Sequence, residues 1–310
     1  MEFEHVSVLL EQSIELLDIK PNGIYVDCTL GSGGHSREIL NKLTNGKLIG
    51  FDKDIDAIKH CQTVFKDNSN VIINHTDFKN VCKTLDQLGI DKVDGVLMDL
   101  GMSSWQIDNF ERGFSYMTNG PLDMRMDSHQ TLTAFEVVNE YSEEKLAKII
   151  EDYGEEPFAR QIARNIAIQR EIGAINNTLD LVDIIDHSLP YSYKRKIGHS
   201  SKKTFQAIRI EVNQELEHLK ETIAKLIKRL NKQGRIAIIS FHSLEDRIVK
   251  ETFREYATGC VCPKSFPICI CGHKADLKLI TRKPIIPSEQ EMQINSRANS
   301  AKLRVAEKII

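Results

Sequence analysis

Apolar positions in the first hundred residues switch between two rhythms. GIYVDCTLG, residues 23–31, is a short β-rich run that ends in glycine, and SREILNKL follows with helical spacing. GKLIGFDKD, residues 46–54, reads as a second strand, with IDAIKHCQTVF as its helix. VIINHTDF, residues 71–78, reads as a third strand before the helical VCKTLDQLGI, and VDGVLMDLG, residues 93–101, reads as a fourth. Strands alternating with helices of about ten residues predict βαβ units and a parallel sheet. From Ser103 to Lys203 the pattern holds no buried strand, and helices are predicted over 133–151, 156–171 and 178–188. A long helical pattern then runs from Phe205 to Leu230, ahead of a strand at GRIAIISF, residues 234–241. LKLITRKPI and AKLRVAEKI close the chain as candidate antiparallel neighbours. The simplest architecture is α/β: a doubly wound sheet interrupted after its fourth strand by a helical insertion. The core is then 1–104 and 204–310, and the insertion is 105–203.

Composition narrows the class without naming a function. A chain of 310 residues fits one large domain or two smaller ones. Lys plus Arg number 41 and Asp plus Glu 44, a net charge of −3, so a nucleic-acid surface must be a local concentration. No apolar run approaches the ~20 residues of a membrane span, and the acidic start MEFEHVSVLLEQS lacks a cleavage signature. Seven cysteines, an odd count in a long chain, argue against a secreted disulfide framework. A cytoplasmic protein with no membrane contact is expected.

The ends of the strands carry the candidate chemistry. In open α/β sheets ligands sit beyond the carboxyl ends of the strands, at the switch point. The first strand runs into Asp27-Cys28-Thr29-Leu30-Gly31-Ser32-Gly33-Gly34-His35, and glycines there let a ligand approach the backbone closely. The second strand ends at Asp52, an acid placed to accept the hydroxyl hydrogens of an adenosine ribose. A dinucleotide fingerprint needs a third glycine where Ser36 stands, so the loop suits S-adenosylmethionine better. Asp77 and Phe78 could frame an adenine ring, or be a solvated acid beside a packed ring. Asp99, at the end of the fourth strand, could hold a nucleophilic amine beside a methyl donor, or cap the turn that follows.

Seven motifs then agree with one family. DCTLGSGGHS, DLGMSSWQID, RGFSY, LDMRMD, FQAIRIEVNQEL, ISFHSLEDRIVK and NSRANSAKLRVAE occur in this order. From His5 to its C-terminus the chain resembles the bacterial small-subunit ribosomal RNA cytosine-N4 methyltransferases, the RsmH or MraW family. The resemblance implies a class I methyltransferase core (Rossmann-like), with a helical insertion and S-adenosyl-L-methionine as cofactor. It implies that Gly33, Gly34 and His35 meet the cofactor's methionine end, that Asp52 takes the ribose and that Phe78 lies at the adenine. Asp99 and Gln106 would complete the pocket; on chemical grounds Asp99 is also the catalytic candidate, expected ionised because the amine hydrogens need an acceptor. The implied target is a cytidine in the decoding region of 16S rRNA in the small ribosomal subunit, and not DNA. Two departures from wider patterns stand out. Thr29 occupies the place of the first glycine of the generic D-x-G-x-G-x-G loop, and Asp99-Leu100-Gly101-Met102 keeps only the acid of the signature usual in DNA amino methyltransferases.

Candidate RNA contacts lie mostly in one stretch. From Ser192 to Arg209 the chain has six cations, Lys194, Arg195, Lys196, Lys202, Lys203 and Arg209, and no acid. Such a run is either a phosphate-binding surface or a solvated face. Arg112, Asp123 and Arg125, in the RGFSY and LDMRMD motifs, and His242 are candidates for the substrate entrance. Trp105, Phe114 and Tyr116 could stack on a base or pack internally. Cys28, Cys61 and Cys82 fall in apolar patterns and read as core residues. Cys260, Cys262, Cys269 and Cys271 form C-x-C-x6-C-x-C; four thiols that close could hold structural zinc, but zinc sites prefer wider pairs, so a metal-free thiol loop is the first expectation and zinc the alternative. Two rivals stay open on the residues alone: a nicotinamide dehydrogenase, and an RNA-binding module without activity.

Overall fold

A computed structural model describes residues 7–260, 262–263, 268, 270–272 and 274–310. It divides into two compact units, one of residues up to Gly101 and from Leu216 onward, the other Met102–Glu215.

The first unit opens with α1 (Leu10–Leu17), then alternates β1 (Ile24–Asp27), α2 (Gly34–Lys42), β2 (Lys47–Asp52), α3 (Ile55–Val64), β3 (Val71–His75), α4 (Val81–Gln87) and β4 (Val93–Asp99). The expected βαβ rhythm is therefore present, and β1, β2 and β4 each end on an aspartate. Neighbouring strands among β1–β4 are parallel, in the order β3-β2-β1-β4. The chain steps outward from β1 to β3 and then returns to place β4 on the other side of β1. This reversal opens a crevice beyond the carboxyl ends of β1 and β4.

In the second unit, α5 (Ser104–Asp108), α6 (Ala134–Glu140), α7 (Glu143–Gly154), α8 (Ala159–Ile172), α9 (Thr178–Ser188), α10 (Tyr191–Lys194) and α11 (Lys202–Asn213) follow one another without a strand. Its core is its own, built from residues such as Phe114, Leu146, Ile162, Ile185 and Phe205. The single helix expected over 133–151 is two helices. Ser142 accepts from Lys145 N–H and caps α7, which restarts the helix after an extended Tyr141. The long pattern from Phe205 to Leu230 is likewise broken, because Gln214 takes a left-handed conformation that ends α11. α11 packs on α7, so it belongs to the helical unit, and the second division falls at 215/216 rather than 203/204.

The first unit then resumes with α12 (Leu219–Arg229), β5 (Leu230–Ser240), α13 (Ser243–Ala257), β6 (Leu277–Leu279), α14 (Glu289–Ile294) and β7 (Lys302–Lys308). β5 joins β4 in parallel, with Asp99 opposite Ile239, and β7 lies antiparallel between β5 and β6. The seven-stranded order β3-β2-β1-β4-β5-β7-β6 is that of the class I core the resemblance implies. Alternate side chains serve opposite faces. Val96 and Met98 pack with Leu219, Ile223 and Leu226 of α12 and Phe253 of α13, while Leu97 joins Leu17 of α1 and Ile39 of α2. The sheet is thus buried on both sides, which explains its nearly continuous apolar runs.

Candidate active site

The loop after β1 is organised by the aspartate that precedes it. Asp27 is buried; its Oδ1 accepts from Thr29 N–H at 3.1 Å and its Oδ2 from the Ser36 hydroxyl at 2.6 Å. Both ends of the glycine loop are thereby fixed to β1. Ser36, at the place of a dinucleotide loop's third glycine, is fully buried in this contact. Burial raises the Asp27 carboxyl above its usual range, against the pull of these donors. Glycine is required at Gly33, where φ is +81° and an added Cβ would lie 3.0 Å from the Phe65 ring. Gly31 differs: φ is +51°, yet an added Cβ would meet no protein atom within 4 Å. That open cradle is where a ligand can come against the backbone.

Asp52 is bonded from two sides. Its Oδ2 accepts from Gly31 N–H at 2.9 Å and its Oδ1 from Asp54 N–H at 2.8 Å. Each carboxylate oxygen retains a lone pair for a hydroxyl. Burial pushes the group up to about 6, despite the lowering effect of both backbone donors. Asp54, itself buried, caps α3 by accepting from Asp56 N–H. At the end of β3, Asp77 accepts from Lys79 N–H at 2.8 Å and so caps the turn that follows. Phe78 begins that turn, partly buried against the core on one sheet face.

Asp99 closes the crevice at β4. Its backbone N–H donates to Thr29 Oγ1 at 2.6 Å, and the Thr29 hydroxyl also meets the Asp27 carboxylate. Its Oδ2 lies 3.7 Å from His35 Nδ1, whose Nε2 is 3.1 Å from the Val8 carbonyl oxygen. Its Oδ1 is buried with no hydrogen-bond partner. An orphaned buried acceptor of this kind asks for a ligand or a proton. Burial, then the negative charges of Asp27 and Glu245, hold the carboxyl well above the usual range. A positive charge brought beside this carboxyl would act against all three of these influences. Glu245 escaped the sequence reading. It is buried and accepts from the N–H groups of Phe241 (2.8 Å) and His242 (3.3 Å), closing β5 onto α13. Its signal is an acid three residues into a helix start, hidden because His242, not Ser or Thr, stands at the cap.

Gln106 is part of the helical unit, where its side chain accepts from Ser103 N–H at 3.0 Å in a capping box at the start of α5. Arg125 is engaged by its own loop: it grips Asp123 at 2.7 Å and donates to the carbonyls of Ser128 and Gln130. Arg112 donates to the carbonyls of Arg125 and Met126. Of the six cations in the basic stretch, Arg209 is buried in an ion pair with Glu215 at 2.8 Å and faces no solvent surface. Lys194 pairs with Asp186, and Lys203 donates to the Glu155 carbonyl near the buried Glu156. Arg195, Lys196 and Lys202 are exposed, and Tyr191 beside them is 74% exposed. Phe114 is core rather than a stacking surface, and Tyr116 packs edge-on to Phe205, whereas Trp105 is exposed. His242 is buried, with Nε2 3.2 Å from Glu245 Oε1. Burial raises the thiols of Cys28, Cys61 and Cys82, Cys61 to about 12, so none is a ready nucleophile.

The open cradle at Gly31, the paired acceptors of Asp52 and the orphan oxygen of Asp99 fit S-adenosylmethionine, a ligand with a ribose and positive charge. The sequence profile of the MraW methylase family matches residues 2–309. A Clostridium botulinum (strain Kyoto / Type A2) protein named Ribosomal RNA small subunit methyltransferase H is 56% identical over 310 residues, covering 100% of both chains. The protein of the same name from strain 657 / Type Ba4 is also 56% identical over 310 residues, again covering 100% of both. Among solved structures, an rRNA methylase from Streptococcus thermophilus aligns over 97% of this chain and 93% of its own, at 12% identity and a TM-score of 0.40.

Proposed function

The chain belongs to the MraW methylase family, and from that premise we propose that it methylates the exocyclic N4 of a cytidine in the decoding region of 16S rRNA. It is an S-adenosylmethionine-dependent methyltransferase of small-subunit ribosomal RNA. Among the described residues no helix is long and apolar enough to cross a membrane. We place the protein in the cytoplasm with the assembling or finished small subunit as its substrate, and not on DNA.

In this reading Asp52 holds the ribose hydroxyls, Gly33, Gly34 and His35 receive the methionine end, and Phe78 completes the pocket on the sheet unit. When bound, the cofactor supplies an electrophilic methyl group on a positively charged sulfur. A positive charge beside Asp99 favours its carboxylate, countering the burial that raises the free group. The cytosine amine is a poor nucleophile because its lone pair is delocalised into the ring. A carboxylate at Asp99 accepting the amine hydrogens would favour a pyramidal nitrogen, with its lone pair turned toward the methyl group that the bound cofactor would supply. Most of the acceleration is positioning of two bound reactants, with electrostatic help for the charge that develops.

The orphan Asp99 Oδ1 at the end of β4 carries this assignment. The base must leave its stack to reach a crevice of this kind, most easily from a single-stranded site. Exposed Trp105 and Tyr191 offer stacking faces, and Lys194, Arg195, Lys196, Lys202 and Lys203 offer phosphate contacts. Arg125 then acts indirectly, by holding the LDMRMD loop in shape. Incubation with labelled S-adenosylmethionine and subunits lacking the mark, followed by nucleoside mass spectrometry, tests the reading. Label in N4-methylcytidine supports it, and label in any other nucleoside refutes it.

A further inference from the structure

Methyl transfer leaves the cysteines between α13 and β6 without a role. Cys260, Cys262 and Cys271 lie among the described residues, whereas Cys269 lies outside them. Their Sγ atoms are all within 4.8 Å of one another, although Cys271 is nine residues beyond Cys262. None of the three is in a disulfide. The Sγ atoms of Cys260 and Cys271 are 3.8 Å apart, far beyond the ~2.05 Å of a sulfur–sulfur bond. The separation has another natural meaning: zinc–thiolate bonds of about 2.3 Å in a tetrahedron put neighbouring sulfurs about 3.8 Å apart.

The backbone is also arranged around sulfur. Cys262 N–H donates to Cys260 Sγ, and Ile270 N–H donates to Cys262 Sγ, each at 3.4 Å. The narrow C-x-C spacing predicts a metal-free loop, yet the fold brings the two ends of the motif together. Apolar burial does not do this, since Ile268 and Ile270 are each 74% exposed. A chain segment whose described apolar side chains are exposed can be held by a metal instead.

We infer that Cys260, Cys262 and Cys271 are thiolate ligands of a structural zinc ion. The ion clips the excursion from α13 to β6 at its tip, while Asp276 N–H, donating to the Tyr256 carbonyl at 2.8 Å, closes it at its base. Binding exchanges thiol protons for the metal and involves no electron transfer.

The test uses the full-length chain expressed with zinc in the medium and desalted before elemental analysis. The expected result is one zinc per chain, lost in a Cys260→Ser/Cys271→Ser variant whose affinity for S-adenosylmethionine is unchanged. Cobalt exchanged into the wild-type protein should give the visible absorption of tetrahedral thiolate cobalt, and the variant should not. Wild-type protein isolated without stoichiometric zinc, with iron instead, or with a Cys260–Cys271 disulfide would overturn the assignment. Full zinc retention by the double variant would overturn it equally.

Discussion

The backbone N–H of Asp99 donates to the hydroxyl of Thr29 at 2.6 Å, tying the end of β4 to the loop that follows β1. A threonine in a glycine's usual place is thus a strut between the two strands that flank the crevice. The same hydroxyl meets Asp27, whose other oxygen holds Ser36 at the start of α2. The loop, the helix after it and the Asp99 backbone are consequently one hydrogen-bonded assembly.

Thr29→Val should break it. The variant keeps the shape of the side chain but leaves the Asp99 N–H without its acceptor, at a cost of ~1–3 kcal/mol. Urea unfolding should show that loss, and calorimetry should show weaker S-adenosylmethionine binding. Thr29→Ser, which keeps the hydroxyl, should stay near wild type in both. Equal stability of the valine and serine variants would show that the strut contributes nothing.

Asp52 predicts a pH dependence of cofactor binding. Its carboxyl is raised to about 6 in the free protein, so acidification through that value replaces a hydroxyl acceptor with a donor. Affinity for S-adenosylmethionine should therefore fall as pH drops through about 6 and be level above it. The raised value has the opposite sign for folding: the contribution is present below the ordinary carboxylate range and is lost as pH rises through about 6. Titration calorimetry across this range checks the first statement, and Asp52→Asn should bind weakly with the step abolished. A step that persists in the variant belongs to another group.

The basic stretch separates into anchored and exposed cations. Replacing Arg195, Lys196 and Lys202 with glutamine should weaken RNA binding and flatten the log–log salt dependence by roughly 2, on a single-strand coefficient of ~0.7 per contact. Lys194 and Lys203 are held by Asp186 and by the Glu155 carbonyl, so their replacement should flatten it less. Binding measured over a salt series distinguishes the two sets. An unaltered slope in the triple variant would leave the stretch a solvated face.

The alternation of strands and helices around Asp27, Asp52 and Asp99 was readable because buried parallel strands leave continuous apolar runs with a polar stop at each end. The antiparallel closing pair was readable because LKLITRKPI and AKLRVAEKI are strand-like segments close together in sequence. The break at Gln214 was not, since the helical spacing continues across a residue whose backbone turns left-handed. Side-chain partnership was also hidden. Composition shows Arg209 as one more cation in a basic run, while its ion pair with Glu215 removes it from solvent. The acids that raise the Asp99 carboxyl were hidden for a related reason: Glu245 lies 146 positions further along the chain, and only folding brings it close to Asp99 and Asp27.

Single-turnover methyl transfer to subunits lacking the mark, at saturating S-adenosylmethionine, tests the central claim most directly when wild type and Asp99→Asn are compared. The substitution keeps the shape of the side chain but exchanges an acceptor for a donor that opposes the amine. The account predicts N4-methylcytidine as the product and a rate lower in the variant by a factor on the order of 10²–10³, the usual loss for one preorganised polar contact. RNA affinity should be nearly unchanged, because phosphate contacts elsewhere carry it. A variant as fast as wild type, or methylation at an atom other than N4, would contradict the account.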